Sequence, residues 1–309
     1  MSAVDLRVPL GRGVVLPNPV GVASGTFGYG FEFSHLVDIQ RLGAIYTKGT
    51  TPLPREGNPP PRVAETAGGL LNSIGLQNPG VDHVAHEYAP SFAQWSVPVI
   101  VNVAAATVEE YIQCVGVLDA APGIAGYELN ISCPNIAHGM DFGLDASAAA
   151  RLVAAVRSVT ARCLVVKLSP NVTDIGAVAR AVEDAGADAV SAVNTYVGMK
   201  VHLGIRRPVL PGRGTGGLSG PAIKPLALAA VARVRAAVRI PVIGIGGIAS
   251  VSDALEFFVA GADAIQVGTA NFADPGISLD ILDGMAAQAE AMGLSRLTDL
   301  RWQPAPQPA

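Results

Sequence analysis

Cysteine is scarce in this sequence, which has Cys114, Cys133 and Cys163 among 309 residues. The number is odd and no pair has CxxC spacing, which argues against a disulfide framework or a structural zinc site. Three thiolates also fall short of the four that an iron–sulfur cluster needs within one chain. His83 and His86 are three residues apart on a predicted helix, and no set of acidic or histidine residues has the spacing of metal ligands. We therefore expect no metal site.

Long apolar runs and basic clusters are missing as well. The longest apolar stretch, residues 97–108, is interrupted by Pro98 and Asn102 and is too short to cross a bilayer, and the N-terminus lacks a basic-then-apolar signal segment. Lys and Arg number 21 against 25 Asp and Glu, and the longest basic run is Arg206-Arg207. Because nucleic-acid binding needs a basic surface, we do not expect nucleic acid as a partner. Because no spanning or signal segment is apparent, we expect a cytoplasmic protein without a membrane as its partner.

The chain does contain a regular alternation of short apolar runs and Ala-rich stretches. The apolar runs lack strict polar alternation, as parallel strands buried on both faces do. There are eight, at residues 19–24, 43–47, 97–103, 126–131, 163–168, 188–193, 240–245 and 263–268. The clearest helical stretches are residues 107–120, 146–160, 175–185, 222–238, 251–259 and 277–292, with Thr107, Thr173 and Ser250 as N-cap candidates. Eight successive strand–helix units predict an α/β fold of the (β/α)8, or TIM-barrel, type.

The predicted barrel occupies residues 1–309 as a single domain, with a Pro-rich tail at 303–309 that we expect to be disordered. Two connections are much longer than the others, residues 48–78 after the second strand and residues 194–220 after the sixth. Both leave the carboxyl end of a strand, which is the catalytic face of a barrel, so we expect them to cover its mouth. Alternating apolar residues before Pro19 predict an N-terminal hairpin that caps the barrel floor.

Glycines follow the last two predicted strands. Gly246 and Gly247 precede a helix that begins near Ser250, and the eighth strand ends in Gly268-Thr269. Backbone N–H groups exposed by glycine near a helix N-terminus bind an anion without a charged side chain. Barrels often place a phosphate group in these two loops, so a phosphate cradle is favoured over tight turns alone.

Polar side chains collect at the carboxyl ends of otherwise apolar strands, at Ser24, Lys48, Asn102, Asn130, Lys167, Asn194 and Thr195. A lysine at the end of a buried strand must find an anion or a polarised carbonyl, because an unpaired buried ammonium is strongly unfavourable. Asparagine offers both a donor and an acceptor, which suits a flat heterocycle such as a pyrimidine or a flavin. For Asn72 and Asn78 the alternative is a side chain that caps a turn.

Cys133 follows the fourth strand and is the one cysteine in a polar loop at the predicted mouth. A thiol with a pKa of about 8.5 needs only a modest downward shift to act as a base near neutral pH, and a nearby Lys48 or Lys167 would assist. Cys114, on a predicted helix, and Cys163, at the start of a strand, are expected to be inert.

Nine motifs in order resemble the dihydroorotate dehydrogenase family, class 1, and in particular subclass 1B, which works with a separate electron-transfer subunit. The likeness runs from residue 20 to residue 271. It is carried by ASGTF at 23–27, TKGT at 47–50, NSIGLQNPG at 72–80, NISCPN at 130–135, VKLSPN at 166–171, NT at 194–195, GLSGP at 217–221, GGI at 246–248 and GT at 268–269.

The resemblance implies FMN at the mouth and the oxidation of (S)-dihydroorotate to orotate, the redox step of pyrimidine synthesis. Cys133 would remove a proton from substrate C5 while a hydride leaves C6 for flavin N5. The substrate residues would be Lys48, Asn72, Ser73, Ile74, Gly75, Leu76, Asn130, Asn194 and Thr195. The FMN residues would be Ser24, Lys48, Gly49, Asn102, Asn130, Lys167, Val193, Gly220, Gly246, Gly247, Gly268 and Thr269, with Lys167 beside the N1/C2 carbonyl edge, where it stabilises negative charge on the ring.

Subclass 1B also implies a homodimer associated with an iron–sulfur and FAD subunit, as a heterotetramer that passes electrons to NAD. The alternatives are a class 1A fumarate-dependent homodimer, another FMN barrel reductase that acts on a pyrimidine base, and a barrel that binds a flavin or phosphate only as an assembly partner. Membrane-bound class 2 enzymes of the family use serine as the base. This chain has Cys133 at that position, so it resembles class 1 instead. One departure from subclass 1B is His138 and Asp141, where small or apolar residues are more usual.

Overall fold

The computed structural model describes residues 4–132, 142–212 and 214–302. Eight parallel strands form a closed barrel in which each strand pairs with the strands that precede and follow it in sequence. The strands are β1 (Val20–Val22), β2 (Ala44–Tyr46), β3 (Val99–Val103), β4 (Ile124–Asn130), β5 (Cys163–Lys167), β6 (Ala189–Ala192), β7 (Val242–Ile245) and β8 (Ala264–Val267). The predicted (β/α)8 barrel is confirmed. That the whole chain is one domain stays a prediction, and the tail at 303–309 lies outside the described residues.

Helices surround the barrel and pack against the outward-facing strand residues. They are Val81–His83, Val84–Tyr88 and Ala89–Phe92 after β2, then Val108–Asp119, Ala146–Arg157, Ile175–Asp184, Lys224–Ala237, Val251–Ala260, Ala270–Ala273 and Ile277–Ala291. Short 3-10 turns are Ile39–Arg41, Pro221–Ile223 and Leu297–Leu300. Among the residues that the structure describes, no helix has the length and hydropathy of a membrane span.

Side-chain caps begin most of the long helices. The Oγ1 of Thr107 accepts a hydrogen bond from the N–H of Glu110, and the Oγ of Ser250 accepts one from Asp253, as predicted. The prediction of Thr173 as an N-cap is wrong, because Asp174 is the N-cap of the helix Ile175–Asp184 and its Oδ1 accepts a hydrogen bond from the N–H of Ala177. Asp174 is adjacent to the first turn, and its carboxylate is favoured by the positive end of the helix.

An N-terminal hairpin closes the floor of the barrel, as predicted. Its strands are Val8–Gly11 and Val14–Leu16, which pair in antiparallel register. Leu10 and Leu16 are buried and pack with inward-facing residues such as Tyr46 on β2. Alternate residues of a strand point to opposite faces, so one set of strand residues contacts the helices and the other faces the barrel interior, where its apolar members fill this floor.

Two equivalent ion pairs hold strands at the floor. The sequence AGADA ends on the first residue of both β6 and β8, and its aspartate is Asp188 in one copy and Asp263 in the other. Asp188 Oδ2 lies 2.8 Å from Arg157 Nη1, and Asp263 Oδ2 lies 3.3 Å from Arg235 Nη1. Each carboxylate also accepts a backbone N–H from the preceding strand. The repeat in sequence is thus a repeat in structure.

The two long connections lie at the other end of the barrel and join in one sheet. Tyr196–Gly198, Gly216–Ser219, Gly69–Asn72 and Val63–Thr66 form four antiparallel strands in that order. A smaller pair, Val201–His202 with Arg207–Pro208, extends from the same region. The sequence predicted where the two loops lie, but not that they pair with each other.

Candidate active site

The barrel interior becomes polar above the apolar floor. Five buried side chains form what we call the polar layer: Asn102 on β3, Glu128 on β4, Lys167 on β5, Ser191 on β6 and Gln266 on β8. Hydrogen bonds join Glu128 to Ser191 and Gln266, on strands that are not neighbours of β4, so these side chains must lie inside the barrel. The structure therefore places two of the predicted FMN residues, Asn102 and Lys167, in one cluster.

Glu128, Ser191 and Gln266 are residues that the sequence analysis missed. The signal was present, because each is a polar residue inside a run predicted to be a buried strand. A charged side chain in such a place needs partners, since burial of an unpaired charge is strongly unfavourable. None of the three is the last residue of its strand, so the pattern of polar strand ends does not include them.

The amide of Asn102 has a free acceptor. Its Nδ2 donates to Glu128 Oε2 at 2.7 Å, while its Oδ1 is buried and has no hydrogen-bond partner among the described residues. The backbone at Gly49 lies close by, since a Cβ built there would be 3.2 Å from that oxygen. Buried acceptors in proteins are normally satisfied, so this oxygen points to a ligand that carries an N–H group.

Three of the predicted substrate residues meet at the ends of β4 and β6. Asn194 Nδ2 donates to Asn130 Oδ1 at 3.1 Å, and the Thr195 N–H donates to Asn194 Oδ1 at 2.8 Å. The Tyr111 hydroxyl donates to the Asn130 carbonyl at 2.7 Å, which fixes the strand end from the helix side. The three side chains are half-buried and form one polar edge of the mouth.

The segment from Asn72 to Leu76 forms another edge. Ser73 Oγ accepts a hydrogen bond from Asn58 Nδ2 at 3.0 Å, and the carbonyl of Ile74 accepts one from the Asn58 N–H at 2.9 Å. Gly75 and Leu76 have φ angles of 76° and 56°, and a left-handed leucine is uncommon. Such a conformation turns the backbone sharply at this edge, which is the kind of local strain that binding sites carry.

Asn78 has the turn-capping role that was the alternative for it. Its Oδ1 accepts hydrogen bonds from the N–H groups of Thr51 and Gly80, at 3.2 Å and 2.9 Å. Its Nδ2 donates to Thr51 Oγ1 at 2.7 Å. Asn72 differs, since its Nδ2 donates to the Gly217 carbonyl on the other long connection.

Lys48 follows β2 and is partly buried at the mouth. Its N–H donates to the Gly28 carbonyl at 2.8 Å, which fixes the backbone there. Burial lowers the pKa of the Lys48 ammonium below its ordinary value; the charge of Glu32 opposes this shift and that of Arg62 adds to it. Within the described ranges, no carboxylate lies at ion-pair distance from Lys48, so its charge is available to an anionic ligand.

The glycines predicted to bind phosphate come together. Gly220 and Gly247 have φ angles of 93° and 76°, and a Cβ on Gly247 would lie 2.9 Å from the Gly220 carbonyl oxygen and 2.8 Å from the Lys224 backbone nitrogen. Thr269 Oγ1 hydrogen-bonds Ser219 Oγ at 2.8 Å, beside Gly220. The loops after β6, β7 and β8 thus converge, with backbone in places where no side chain has room.

The remaining FMN candidates lie next to this group. The Val193 N–H donates to the carbonyl of Ile245, the residue before Gly246, at 3.0 Å. A Cβ on Gly268 would lie 3.5 Å from that of Ala23, the neighbour of Ser24. All the FMN candidates in the described residues therefore surround one end of the barrel.

The predicted base, Cys133, lies outside the described residues, as do His138 and Asp141. Cys114 and Cys163 are buried on a helix and at the start of β5, as expected, and burial raises the pKa of each thiol to about 12. Where the structure describes side chains, no group of three or more His, Cys, Asp or Glu is arranged to hold a metal ion.

A closed eight-stranded barrel with a polar cluster and glycine-lined loops at one end defines a (β/α)8-barrel protein with its candidate ligand site at the carboxyl ends of the strands. The family model described as dihydroorotate dehydrogenase matches residues 11–288. The chain belongs to the dihydroorotate dehydrogenase family, as its motifs predicted.

Full-length relatives carry the name dihydroorotate dehydrogenase B (NAD(+)), catalytic subunit. The protein of that name from Pelobacter propionicus is 52% identical over 297 residues, which cover 96% of this chain and 97% of the relative. The one from Geotalea uraniireducens is 51% identical over 301 residues, with 97% and 98% covered. The one from Listeria monocytogenes is 48% identical over 302 residues, with the same coverage.

Proposed function

We propose that this chain is the catalytic subunit of an NAD-linked dihydroorotate dehydrogenase and oxidises (S)-dihydroorotate to orotate with FMN as its cofactor. Relatives with that name match it over nearly their whole length. The observation that carries the proposal is the buried Asn102 Oδ1, an acceptor with no donor among the described residues. Its amide shares Glu128 Oε2 with Lys167 in the polar layer, at the same barrel end as the glycine-lined loops.

FMN fits the residues that are present. Gly220, Gly246, Gly247, Gly268 and Thr269 would hold its phosphate through backbone N–H groups and one hydroxyl. The neighbours of Gly220, Gly246 and Gly247 leave no room for a larger side chain at those three positions. Ser24, Gly49, Asn102, Lys167 and Val193 would line the ring and its tail, with a donor at Lys167 and an acceptor at Asn102. When bound, FMN supplies the acceptor for the hydride that leaves substrate C6.

Lys48 would bind the substrate carboxylate, because its ammonium is partly buried and has no ion-pair partner among the described residues. Asn72, Asn130, Asn194 and Thr195 would bind the ring amides. Each asparagine can present a donor or an acceptor, which matches a ring with alternating N–H and C=O groups. The backbone from Ser73 to Leu76 would enclose the ring from the side of the long connection.

Cys133 would act as the base. A thiolate there takes the C5 proton while the C6 hydride leaves, so the C5–C6 single bond becomes a double bond and the thiol holds the proton. The ammonium groups of Lys48 and Lys167 would favour the thiolate through their positive charge. Lys167 would also offset negative charge that develops on the flavin ring.

Electrons would leave through a partner subunit. With three cysteines, this chain cannot form a four-thiolate cluster, so the iron–sulfur and FAD carrier that passes electrons to NAD would belong to a second protein. We propose a cytoplasmic homodimer of this chain bound to two copies of that carrier.

Anaerobic titration of the purified chain with dihydroorotate tests the reaction. The yellow flavin spectrum should bleach with about one equivalent of substrate, and a spectrum that stays oxidised in excess substrate would refute the proposal. Acceptors are tested next: NAD should restore the colour only when the carrier subunit is added. Direct reoxidation by fumarate would instead identify a class 1A enzyme, and equal affinity for orotate and uracil would identify a reductase of pyrimidine bases.

A further inference from the structure

Glu128 is a carboxylate with no exposed surface, and the proposed reaction does not use it. It lies in β4, two residues before Asn130, so both side chains point into the barrel. A buried carboxylate is tolerated where donors surround it. Here hydrogen-bond donors come from three other strands and the Lys167 ammonium from a fourth, which places the charge near the barrel axis, beneath the mouth.

The two oxygens of Glu128 have different partners. Oε1 accepts hydrogen bonds from Ser191 Oγ at 2.8 Å and from Gln266 Nε2 at 2.9 Å, and neither residue is a candidate for ligand binding. Oε2 accepts a hydrogen bond from Asn102 Nδ2 at 2.7 Å and lies 3.8 Å from Lys167 Nζ. The carboxylate thus joins the barrel wall, through Oε1, to the two residues proposed to contact the flavin, through Oε2.

The contact with Oε2 decides which end of the Asn102 amide faces the ligand. A carboxylate accepts hydrogen bonds and donates none, so the amide nitrogen must point to Glu128 and the amide oxygen must point away. That oxygen is the buried acceptor for which the described ranges offer no partner. Without Glu128, the amide could turn by half a rotation and present its NH2 group to the ligand instead.

The same oxygen offsets the charge of Lys167. Both side chains are almost fully buried, and their separation of 3.8 Å is longer than a hydrogen bond. The ammonium therefore keeps its donors for a second acceptor, while its charge is balanced across a short distance in a medium of low dielectric constant. A ligand at the mouth therefore lies above an ion pair of Lys167 and Glu128, whose net charge is close to zero, and not above a lone cation.

We infer that Glu128 is a positioning residue of the flavin site, which fixes the amide of Asn102 as an acceptor and tempers the charge of Lys167. The inference rests on the proposed function and deepens it. It predicts that the carboxylate lowers the midpoint potential of bound FMN, because a negative charge nearby disfavours negative charge on the ring. It also predicts tighter FMN binding, since Asn102 is held ready in the binding orientation.

Glu128→Gln tests both predictions, because it removes the charge and keeps the shape. We expect the FMN midpoint potential to shift to more positive values and the FMN dissociation constant, measured on apoprotein, to rise at least tenfold. Asp188→Asn is the matched control: it makes the same chemical change at the barrel floor and should alter thermal stability but not the potential. A potential that is unchanged or more negative in Glu128→Gln would overturn the inference.

If Glu128→Gln does not fold, Ser191→Ala carries the test. It removes one hydrogen bond to Oε1 and leaves the charge in place, and Ser191 is not one of the proposed ligand-binding residues, so we expect the FMN dissociation constant to rise at least threefold. An unchanged dissociation constant and flavin spectrum would show that Glu128 only fills space. The parent protein separates the two hypotheses: if it binds no FMN, or dihydroorotate does not reduce it, the proposed function fails; if it does both, a negative result concerns Glu128 alone.

Discussion

Asn72 Nδ2 donates a hydrogen bond to the carbonyl oxygen of Gly217 at 3.0 Å, across 145 positions of sequence. This contact joins the long connection after β2 to the one after β6. Thr195 lies against the same glycine, because a Cβ at position 217 would be 2.2 Å from Thr195 Oγ1 and 3.2 Å from Asn72 Nδ2. Two proposed substrate residues therefore depend on the absence of a side chain at Gly217.

Gly217→Ala should weaken substrate binding. The added methyl group must displace Thr195, and its contact with Asn72 is also tight, so we expect the KM for dihydroorotate to rise about tenfold or more, since small displacements of positioning groups have effects of this size. FMN content should stay near that of the parent, because a Cβ on Gly217 contacts Thr195 and Asn72 and none of the proposed phosphate-binding glycines. Steady-state kinetics and the flavin absorbance per chain measure the two effects.

Gly116→Ala is the matched control for that substitution. Gly116 is an exposed position in the helix Val108–Asp119, and a Cβ there meets nothing within 4 Å. Alanine should stabilise the helix by about 0.5–1 kcal/mol and leave KM unchanged. A KM for Gly217→Ala equal to that of Gly116→Ala would contradict the proposed roles of Asn72 and Thr195.

Gly247→Ala should abolish tight FMN binding. Its Cβ would lie 2.8 Å from Lys224 and 2.9 Å from the Gly220 carbonyl oxygen, so the loops after β6 and β7 would have to separate. Gly13→Ala separates this steric effect from backbone strain, since Gly13 has a φ of 79°, close to the 76° of Gly247, but no atoms near its Cβ. We expect FMN affinity, measured by equilibrium dialysis, to fall at least 100-fold in Gly247→Ala only. Equal losses in both variants would point to strain instead of close approach.

Orotate affinity should fall at alkaline pH, and the fall should begin below the ordinary pKa of lysine. Burial lowers the pKa of Lys48, with Glu32 opposing and Arg62 assisting, and only the charged ammonium attracts a carboxylate. Above that pKa, binding should weaken by up to about tenfold per pH unit. Titrations of flavin absorbance with orotate measure this affinity. Lys48→Met should lose the part of the pH dependence that comes from Lys48 and keep any part that comes from orotate itself.

The effect of Lys48 on folding has the opposite sign. Because the folded state disfavours its charged form, the unfolded chain binds more protons between the lowered pKa and the unfolded value of about 10.4. The contribution of Lys48 to stability should therefore increase as pH rises through that window. Chemical denaturation of the ligand-free parent and of Lys48→Met over the same pH range would reveal the difference, and parallel stability curves would contradict it.

Cys133→Ala should keep the yellow colour and slow anaerobic bleaching by about 100-fold to 10,000-fold, as loss of a general base does. Unchanged bleaching would remove Cys133 from that role. Stopped-flow absorbance provides the rate, and the FMN content of the same sample shows that the site is intact.

The same variant tests the burial of the other two thiols. Cys114 and Cys163 are fully buried, and their pKa values of about 12 keep them protonated at pH 8. A chromogenic disulfide reagent should therefore react slowly with native Cys133→Ala and with two thiols per chain in denaturant. Rapid reaction before unfolding would show that one of these sites is open to solvent.

The barrel could be predicted because each of its strands can be recognised from a short stretch of sequence. Runs such as residues 163–168 and 240–245 are apolar enough to be recognised alone, and the glycine that ends a helix, as at Gly261, marks where the next strand begins. The strand-end residues could be predicted for the same reason, since topology alone brings the ends of parallel strands together. The choice of Thr173 over Asp174 failed within one residue, where capping signals compete.

Pairing between segments that are distant in the chain could not be predicted from the sequence. Nothing local in residues 69–72 indicates that they pair with residues 216–219, because the match depends on how the barrel positions two loops. The contacts of Glu128 were missed for a related reason. Its partners Ser191 and Gln266 are 63 and 138 positions away, and only closure of the barrel brings them to one carboxylate.

Leu10 and Leu16 leave 0% and 1% of their surface exposed at the amino end of the barrel. The hairpin therefore excludes water from the floor side of Glu128 and Lys167, so that solvent reaches these charges from the mouth. A ligand bound at the mouth would exclude water from that side as well. Electrostatic forces strengthen as water is excluded. A short hairpin at the far end of the barrel thus helps to set the strength of the field in which redox chemistry would take place.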